Sequence, residues 1–566
     1  MDELKQKIIT LLKKHTKLKD INIEIPPDSA MGDYAFPCFV LSKKLKMSPN
    51  EIAKDLVSKI NTGKFVKEVR AVGPYLNFFV DKEGQSLDIL KKIFKEKDKH
   101  GKCSKKNKKI LVEFAGPNTN KPLHLGHVRN ICLGSSLVNV LDSNGFTVHP
   151  VNINNDRGIH ICKSMLAYQK WGKSDSPTKS KLKSDFFVGK YYVMFSKKVK
   201  ENPSLEDEAR ELLSKWEAGD KETIELWKKM NKWAFDGFEE TYKKFNVDFK
   251  KEYYESEHYE KGKEIILNGL KKGIFKKNAE GAILANLKKQ GYGEKVLLRS
   301  DGTSVYITQD VNLAKVRYED FKFDKLVYVV ATEQNYHFKV LFEILKLLKY
   351  SFADKLYHFA YGMVNLTTGK MKSREGTVVD ADNLIEDMTN LALKETKSRD
   401  KSLSSKELQD RAEKIALGAI RFYILKNDPI KDMLFDPEKS ISFEGETGPY
   451  LQYTYARINS ILRKYGKKVE VGIHSSLLSL KEEVELIRML GEFENVIKKV
   501  GENYKIHVLA RYLLELAQTF NNFYHAYPVL KADENLMKAR LLLVSCVKQV
   551  LKNGLNLLGI DILERM

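Results

Sequence analysis

The stretch of this sequence richest in potential chemistry is KPLHLGHVRN (121–130). His124 and His127 stand three apart, so on a helix they share a face. Gly126 between them lets a flat ligand come close to the backbone. The apolar run ILVEF (110–114) reads as a buried strand, AGPNTNKP (115–122) as a loop and VRNICLGSSLVNVL (128–141) as a helix. The imidazole pair therefore falls where a strand passes into a helix. Ligands of parallel sheets sit at such places, and the free N–H groups of a helix start favour an anion. Paired imidazoles over a polyphosphate can donate hydrogen bonds to the transition state of phosphoryl or nucleotidyl transfer. Taken alone, the HxGH spacing also suits a metal-binding histidine pair or a helix-capping cluster.

A second constellation lies downstream. Tyr306 and Asp310 are four apart and precede a helical pattern, so they can share a face. Locally, Asp310 also suits a helix cap and Tyr306 a core position.

The elements that must hold these residues follow from pattern. Asn144-Gly145 marks a turn, and FTVHPVNI (146–153) reads as the next strand, which completes a parallel βαβ unit. KLVYVVAT (325–332) and KLYHFAYGMV (355–364) fit further strands of that sheet, with FKVLFEILKLL (338–348) as a crossover helix. Residues 173–235 are polar and Lys/Glu-rich and read as helices inserted into this domain. The first hundred residues read as a small mixed α/β unit: Leu4, Ile8, Leu11 and Leu12 have helical spacing, and RAVGPYLNFFV (70–80) looks like a turn followed by a strand. Two Lys-dense polar stretches, 95–109 and 396–407, read as solvated linkers. From 408 onward nearly everything has helical period, which predicts a bundle.

At 566 residues the chain has room for about three or four domains. Its 42% hydrophobic and 30% charged residues allow sizeable cores and argue against wholesale disorder. The net charge of +22 points to a polyanionic partner, nucleic acid before others, although a Lys-rich surface kept for solubility is the plainer alternative. No apolar run is long enough to cross a bilayer. The first twenty residues show neither a secretory core nor a transit-peptide composition. Five scattered cysteines (Cys38, Cys103, Cys132, Cys162 and Cys546) form no CxxC pair. That argues against a disulfide scaffold and a cysteine-built zinc site, and fits a reducing cytoplasm.

HLGH (124–127) resembles the His-Ile-Gly-His motif of class I aminoacyl-tRNA synthetases, with Leu125 for Ile. GKMKSREGTVV (369–379) resembles their second motif, Lys-Met-Ser-Lys-Ser. The wider stretches narrow the likeness to arginyl-tRNA synthetases: VEFAGPNTNKPLHLGH (112–127), DGTSVYITQD (301–310), EQNYHFKVLF (333–342), FAYGMVNLTTGKMKSREG (359–376), SFEGETGPYLQYTYARI (442–458) and LGIDILERM (558–566). GDYAF (32–36) and GPYLNFF (73–79) extend it into the N-terminal unit, while about 170–255 matches least.

The resemblance implies an α/β fold: a Rossmann-type parallel-sheet catalytic domain with a small α/β N-terminal domain and a C-terminal α-helical bundle. The expected boundaries are 1–100 for the N-terminal domain, which would read the tRNA D-loop, and 109–395 for the catalytic domain with an insertion at about 170–255. A linking helical segment over 396–444 and an anticodon-binding bundle over 445–566 would follow. The implied activity is ATP-dependent formation of arginyl-adenylate and transfer of arginyl to the terminal adenosine of tRNA(Arg). ATP would arrive with Mg²⁺ as a substrate complex, with no tightly bound cofactor and no protein-held metal.

The implied roles are equally specific. His124, Gly126, His127, Met363, Val364 and Lys370 would bind ATP. Ser373 stands where the family pattern has its second Lys, with Lys372 shifted by one, so Lys121 is expected to supply the missing charge. A guanidinium calls for a carboxylate and a planar neighbour; the resemblance gives that task to Asp310 and Tyr306, completed by Glu113 and Gln334, with Asn118 at the α-amino or carboxylate end. Tyr75 and Asn77 would contact the D-loop, although Val72 departs from some relatives, and Tyr524 would stack on an anticodon-loop base. A monomer in the cytoplasm, with no membrane contact, is the family expectation. The competing readings are a class I synthetase for another amino acid and a synthetase-like RNA-binding protein without catalysis.

Overall fold

The computed structural model describes residues 3–26, 28, 31–60, 66–80, 82–366, 379–399, 403–472 and 475–566. The chain divides into two compact units. One comprises Met1–His100, Ser460–Asn495 and Gln518–Val550; the other comprises Gly101–Asn459, Val496–Ala517 and Leu551–Met566.

The second unit is built on a five-stranded sheet in which every pairing is parallel. Across the sheet the strands run Leu356–Tyr361, Lys325–Ala331, Lys109–Glu113, Thr147–Asn154 and Lys251–Tyr254. The chain thus starts at the centre, winds outward on one side, then returns and winds outward on the other. This is the doubly wound order, and it leaves a crevice beside the carboxyl end of the central strand, where the winding reverses. Ile110, Leu111 and Val112 are all buried, as a central strand covered on both faces requires. The helix after it, Leu125–Ser143, is three residues longer at its start than the apolar pattern suggested. Helices Tyr306–Phe321 and Asn335–Leu347 pack on a core that includes Leu326, Tyr328, Phe338, Leu341 and Ile344.

The insertion is helical, as its composition suggested: Pro177–Ser180, Ser184–Glu201, Leu205–Glu217 and Lys221–Lys244. It has a core of its own around Tyr168, Phe187, Tyr191, Leu212 and Met230. It is also tied to the domain that carries the sheet. Lys183 Nζ lies 2.7 Å from Asp382 and 2.5 Å from the Thr241 hydroxyl. A Cβ on Gly189 would stand 2.8 Å from Pro122 Cδ, so glycine lets this helix lie directly on the loop before His124.

Several expectations need correction. The 355–364 segment is not one strand: Leu356–Tyr361 joins the sheet, whereas Val364–Leu366 pairs separately with Met433–Phe435. Gly362 and Met363 form the break between them. The 70–80 segment is most of a hairpin, with Val66–Val72 antiparallel to Tyr75–Val80; the first strand is too rich in charge to read as one. Residues 396–407 are not a plain linker, because helix Ala381–Arg399 runs into them and Ser404 caps Ser405–Leu425 with Glu407 reciprocating. The polar stretch after residue 95 begins as the end of helix Lys82–Glu96 and a short 3₁₀ turn. A three-stranded antiparallel sheet, Lys276–Lys277, Ile283–Leu287 and Gly293–Leu298, was not anticipated.

In the first unit, Ile8, Leu12, Phe36, Ile52, Leu56, Leu76 and Phe78 form the core beneath a three-stranded sheet. The C-terminal region is helical, with Gly448–Tyr465, Lys481–Asn503, Ile506–Ala526 and Glu534–Leu557. Among the described residues no helix is long and apolar enough to cross a membrane.

Candidate active site

A cavity of about 670 Å³ occupies the crevice at the switch point. That is ample for a nucleotide-sized ligand. Ten of the residues singled out in the sequence line it: Glu113, Asn118, His124, Gly126, His127, Tyr306, Asp310, Gln334, Met363 and Val364. They come from four separate chain segments.

The imidazole wall is built by the start of helix Leu125–Ser143. His124 is its N-cap, and its Nδ1 accepts from the Gly126 N–H at 3.1 Å. His127 Nδ1 accepts from the His124 N–H at 3.1 Å. This is a capping box made of two histidines, with ring centroids 3.9 Å apart. The capping alternative is therefore correct as structure, and it has a chemical consequence. A nitrogen that accepts carries no proton, so each neutral ring bears its proton on Nε2. Burial holds His124 down at about 4, with the Lys121 charge adding to it. Burial lowers His127 well below its usual value, helped by His124 and Lys121. Both rings are neutral single donors at pH 7. Lys121 itself is lowered by burial. It does not line the cavity but stands close enough for its charge to bear on both rings. Lys370 lies outside the described residues, as do Lys372 and Ser373.

The wall formed by Gly362, Met363 and Val364 depends on residues the sequence reading missed. Arg129 is 1% exposed and donates to three carbonyls: Met363 at 2.6 Å, Pro429 at 3.0 Å and Lys431 at 2.8 Å. Met363 N–H donates to Asp432 Oδ1 at 2.6 Å, and Met433 N–H donates to the Met363 carbonyl at 2.9 Å. Gly362 packs so tightly here that a Cβ would stand 2.5 Å from the Lys431 carbonyl carbon and 2.6 Å from the Asp432 nitrogen. Asn130, also buried, accepts from the Ala115 N–H at 2.6 Å and donates to the Val329 carbonyl at 2.7 Å and to the Tyr361 hydroxyl at 3.0 Å. It thereby links three of the elements that meet at the crevice. Ala115 has φ +78°, a conformation that costs a non-glycine residue about 1–2 kcal/mol. The Asn130 amide offsets part of that strain.

The opposite side carries the acids. Tyr306 is 78% exposed, so the core reading of this residue fails. Asp310 follows one helical turn later, and the cap reading fails because it lies inside Tyr306–Phe321. His337 Nε2 is 2.6 Å from Asp310 Oδ2. Gln334 is exposed at the pocket rim beside Glu333. Glu113 is buried and ion-paired with Arg317. Burial pushes its carboxyl up while Arg317 pulls it back. Asn118, exposed in the loop, bridges to Asn155.

The three residues assigned to tRNA lie in the first unit. Tyr75 begins a strand and meets Phe39 edge-on, with ring centroids 5.9 Å apart. Asn77 is 3% exposed, which turns the amide inward rather than toward solvent. Tyr524 is half-buried, stacked on Phe520 at 6.0 Å.

Comparison with known proteins covers the whole chain. Residues 89–437 match the family described as tRNA synthetases class I (R), catalytic domain. Residues 451–566 match the DALR anticodon binding domain, and residues 2–80 the arginyl tRNA synthetase N terminal domain. A Treponema denticola protein named arginine–tRNA ligase is 47% identical over 97% of this chain and 95% of its own. One of the same name from Borrelia hermsii is 42% identical over 98% and 96%. The Thermus thermophilus arginyl-tRNA synthetase structure superposes with a TM-score of 0.81 at 28% identity, covering 100% of this chain and 99% of that one.

Proposed function

The chain belongs to the class I arginyl-tRNA synthetase family, and we propose from that premise how its pocket divides the work of the reaction, the ATP-dependent attachment of arginine to tRNA(Arg). In the first step the arginine carboxylate attacks the α-phosphorus of ATP and pyrophosphate leaves. In the second, a ribose hydroxyl of the terminal adenosine attacks the carbonyl of the adenylate and AMP leaves. No covalent enzyme intermediate is required, so the residues act by positioning and by stabilising charge.

His124 and His127 serve as neutral Nε2–H donors to the α-phosphate oxygens. Donors already aimed by the backbone need no reorganisation as charge develops there. Gly126 lets the nucleotide approach, and the backbone at Met363 and Val364 holds adenine. Lys121 and Lys370 counter the charge that builds on pyrophosphate. Mg²⁺ would arrive as part of the ATP complex and would share the charge of its phosphates. Of the three carboxylates lining the cavity, Glu113 is engaged by Arg317 and Asp310 by His337, while Glu333 is exposed at the rim, so the nucleotide phosphates would be the main ligands of the ion. Asp310, Tyr306 and Gln334 receive the guanidinium; Glu113 and Asn118 complete the amino acid site. Tyr75 and Asn77 contact the D-loop, which for Asn77 requires its amide to turn outward on binding. Tyr524 stacks on an anticodon-loop base.

The observation that carries the reading is the pairing, in one cavity, of two backbone-oriented imidazoles with a carboxylate and tyrosine on the facing helix. Charging of total tRNA with labelled arginine, lysine and cysteine tests it. Arginine alone should be incorporated, and Asp310→Asn should lose at least 100-fold in kcat/KM, which corresponds to about 2.7 kcal/mol. Incorporation of lysine, or an Asp310→Asn enzyme of full activity, would overturn the assignment of the acidic wall. A cytoplasmic monomer is the accompanying expectation; light scattering of the purified protein at twice the monomer mass would refute the second part.

A further inference from the structure

His337 belongs to no role given so far, yet it holds the carboxylate on which arginine selection would rest. It sits in the first turn of helix Asn335–Leu347, three residues after Gln334, and lines the same cavity. Its Nε2 lies 2.6 Å from Asp310 Oδ2 across a gap between two helices. Its ring stands edge-on to Phe338, which in turn stacks on His358. Asp310 is 38% exposed and His337 26%, so a ligand can reach the carboxylate's other oxygen without displacing the ring.

We propose that His337 is a positioning residue for Asp310, and that arginine and the second proton of His337 compete for this carboxylate. The proposal rests on the assignment of Asp310 to the guanidinium. With a neutral ring, Nε2–H donates to Oδ2, fixes the carboxylate plane and leaves Oδ1 for a guanidinium N–H. With a protonated ring, one carboxylate faces two cations. Arginine is a permanent cation, whereas the imidazolium can discharge. Binding therefore expels a proton: one positive charge enters the pocket and one H⁺ leaves to solvent, so the net charge there is unchanged.

The neighbours favour this exchange. Burial lowers the His337 value, but the hydrogen bond and charge of Asp310 more than offset that and leave it raised above 6.5. His358, on strand Leu356–Tyr361, gives its Nε2 to the Val330 carbonyl at 2.9 Å and is itself lowered, so it adds no charge near neutrality. Glu333 lines the cavity one turn before His337. Glu113 and Arg317 interact electrostatically with Asp310 as an opposed pair, and Glu255 adds a further negative charge within its reach. His124 and His127 are neutral throughout the window. His337 is thus the lining imidazole whose charge changes near neutral pH.

The test is calorimetric titration of the full-length enzyme with arginine from pH 6 to 8, in buffers of different ionisation heat, so that protons released per arginine are counted directly. The wild type should release close to one proton at pH 6 and almost none at pH 8, with Kd rising toward tenfold per pH unit on the acid side. His337→Gln keeps an N–H donor without a titrating charge. It should release no proton, bind within about threefold of wild type at pH 8 and lose the pH dependence; His337→Ala should bind weakly at every pH, and Gln should restore it. A wild type that releases no proton, or a His337→Gln profile equal to it, would overturn the proposal. Asp310→Asn separates the two layers: if it binds arginine as tightly as wild type, the assignment of Asp310 itself is at fault.

Discussion

Replacing Arg129 by methionine should loosen the side of the pocket proposed for the nucleotide and leave the side proposed for the amino acid intact. The guanidinium is fully buried and bridges the Met363 turn to the 429–431 loop through three carbonyls. Burial lowers its value only to about 10, with Tyr361 and Asp432 opposing, so it remains charged at pH 7. Hydrogen bonds from a charged donor contribute about 1.5–3 kcal/mol each, which sets an upper bound near 9 kcal/mol for three. Two of the acceptors keep another donor: Met433 N–H for the Met363 carbonyl and Gly362 N–H for the Pro429 carbonyl. Removing a desolvated charge also returns part of the cost of burying it. The net loss expected is about 2–4 kcal/mol, concentrated in the Gly362–Val364 turn and the 429–433 loop. Because a chain of several domains does not unfold in two states, a global midpoint is the wrong readout. Hydrogen exchange resolved to those two segments, together with steady-state charging, is the right one. The ATP KM should rise tenfold or more, equal to about 1.4 kcal/mol, while the arginine KM stays within twofold. Equal shifts in both constants, or unchanged protection in both segments, would refute the reasoning. Arg129→Lys, which keeps the charge but loses the planar fork, should fall between the two enzymes.

Two further outcomes follow from contacts already described. Gly362→Ala forces a Cβ against the Lys431–Asp432 peptide, so the ATP KM in charging should rise about tenfold, with about 1–3 kcal/mol of local destabilisation; an unchanged ATP KM would show that the loop yields freely. His258 is buried with no partner on either ring nitrogen, and burial, aided by Lys261, Arg317 and Lys251, lowers it to about 4. The unfolded chain takes up this proton below pH 6.5 and the folded chain only near 4, so stability is full above 6.5 and is lost as the pH falls toward 4, by about 3 kcal/mol at the limit. Hydrogen-exchange protection of helices Glu255–His258 and Tyr306–Phe321, corrected for intrinsic exchange at pH 7 and pH 5, should therefore fall less in His258→Phe than in wild type; equal losses would remove His258 as a source of acid sensitivity.

The parts of the molecule that could be read in the sequence are those written locally. ILVEF, FTVHPVNI and KLVYVVAT are short apolar runs between turn residues, and each is a strand of the central sheet. The imidazole pair and the Tyr306–Asp310 spacing are also local patterns, and both reach the cavity. Arg129 and Asn130 could not be read this way, although they lie beside His127. Apart from Ala115, their partners are some 200 to 300 residues away, and nothing near them says that a buried cation is wanted. His337 was within reach, since it follows Gln334 by one helical turn, but its meaning depends on Asp310, which only the packing of two helices supplies. The small antiparallel sheet at 276–298 escaped because its strands are short and lysines crowd the segments around ILANL. Asn77 shows a different gap: the resemblance gives it a contact with tRNA, and only the pleat of its strand reveals that the amide is turned inward in this structure.

The order of strands also sets a timetable. The central strand Lys109–Glu113 gains one neighbour, Thr147–Asn154, within about 40 residues, but its other neighbour, Lys325–Ala331, is made roughly 170 residues later. At about 5–20 residues per second, a growing chain carries that open edge for something like 10–35 seconds. The insertion helices, with their own aromatic core, are complete long before this and can fold in the interval. The cavity cannot, because its two walls are contributed by strands from opposite ends of that delay. The enzyme's nascent form is therefore a chain with a finished insertion and an unfinished active site, and its central strand is the place where a chaperone, or a second nascent chain, would find an unpaired edge.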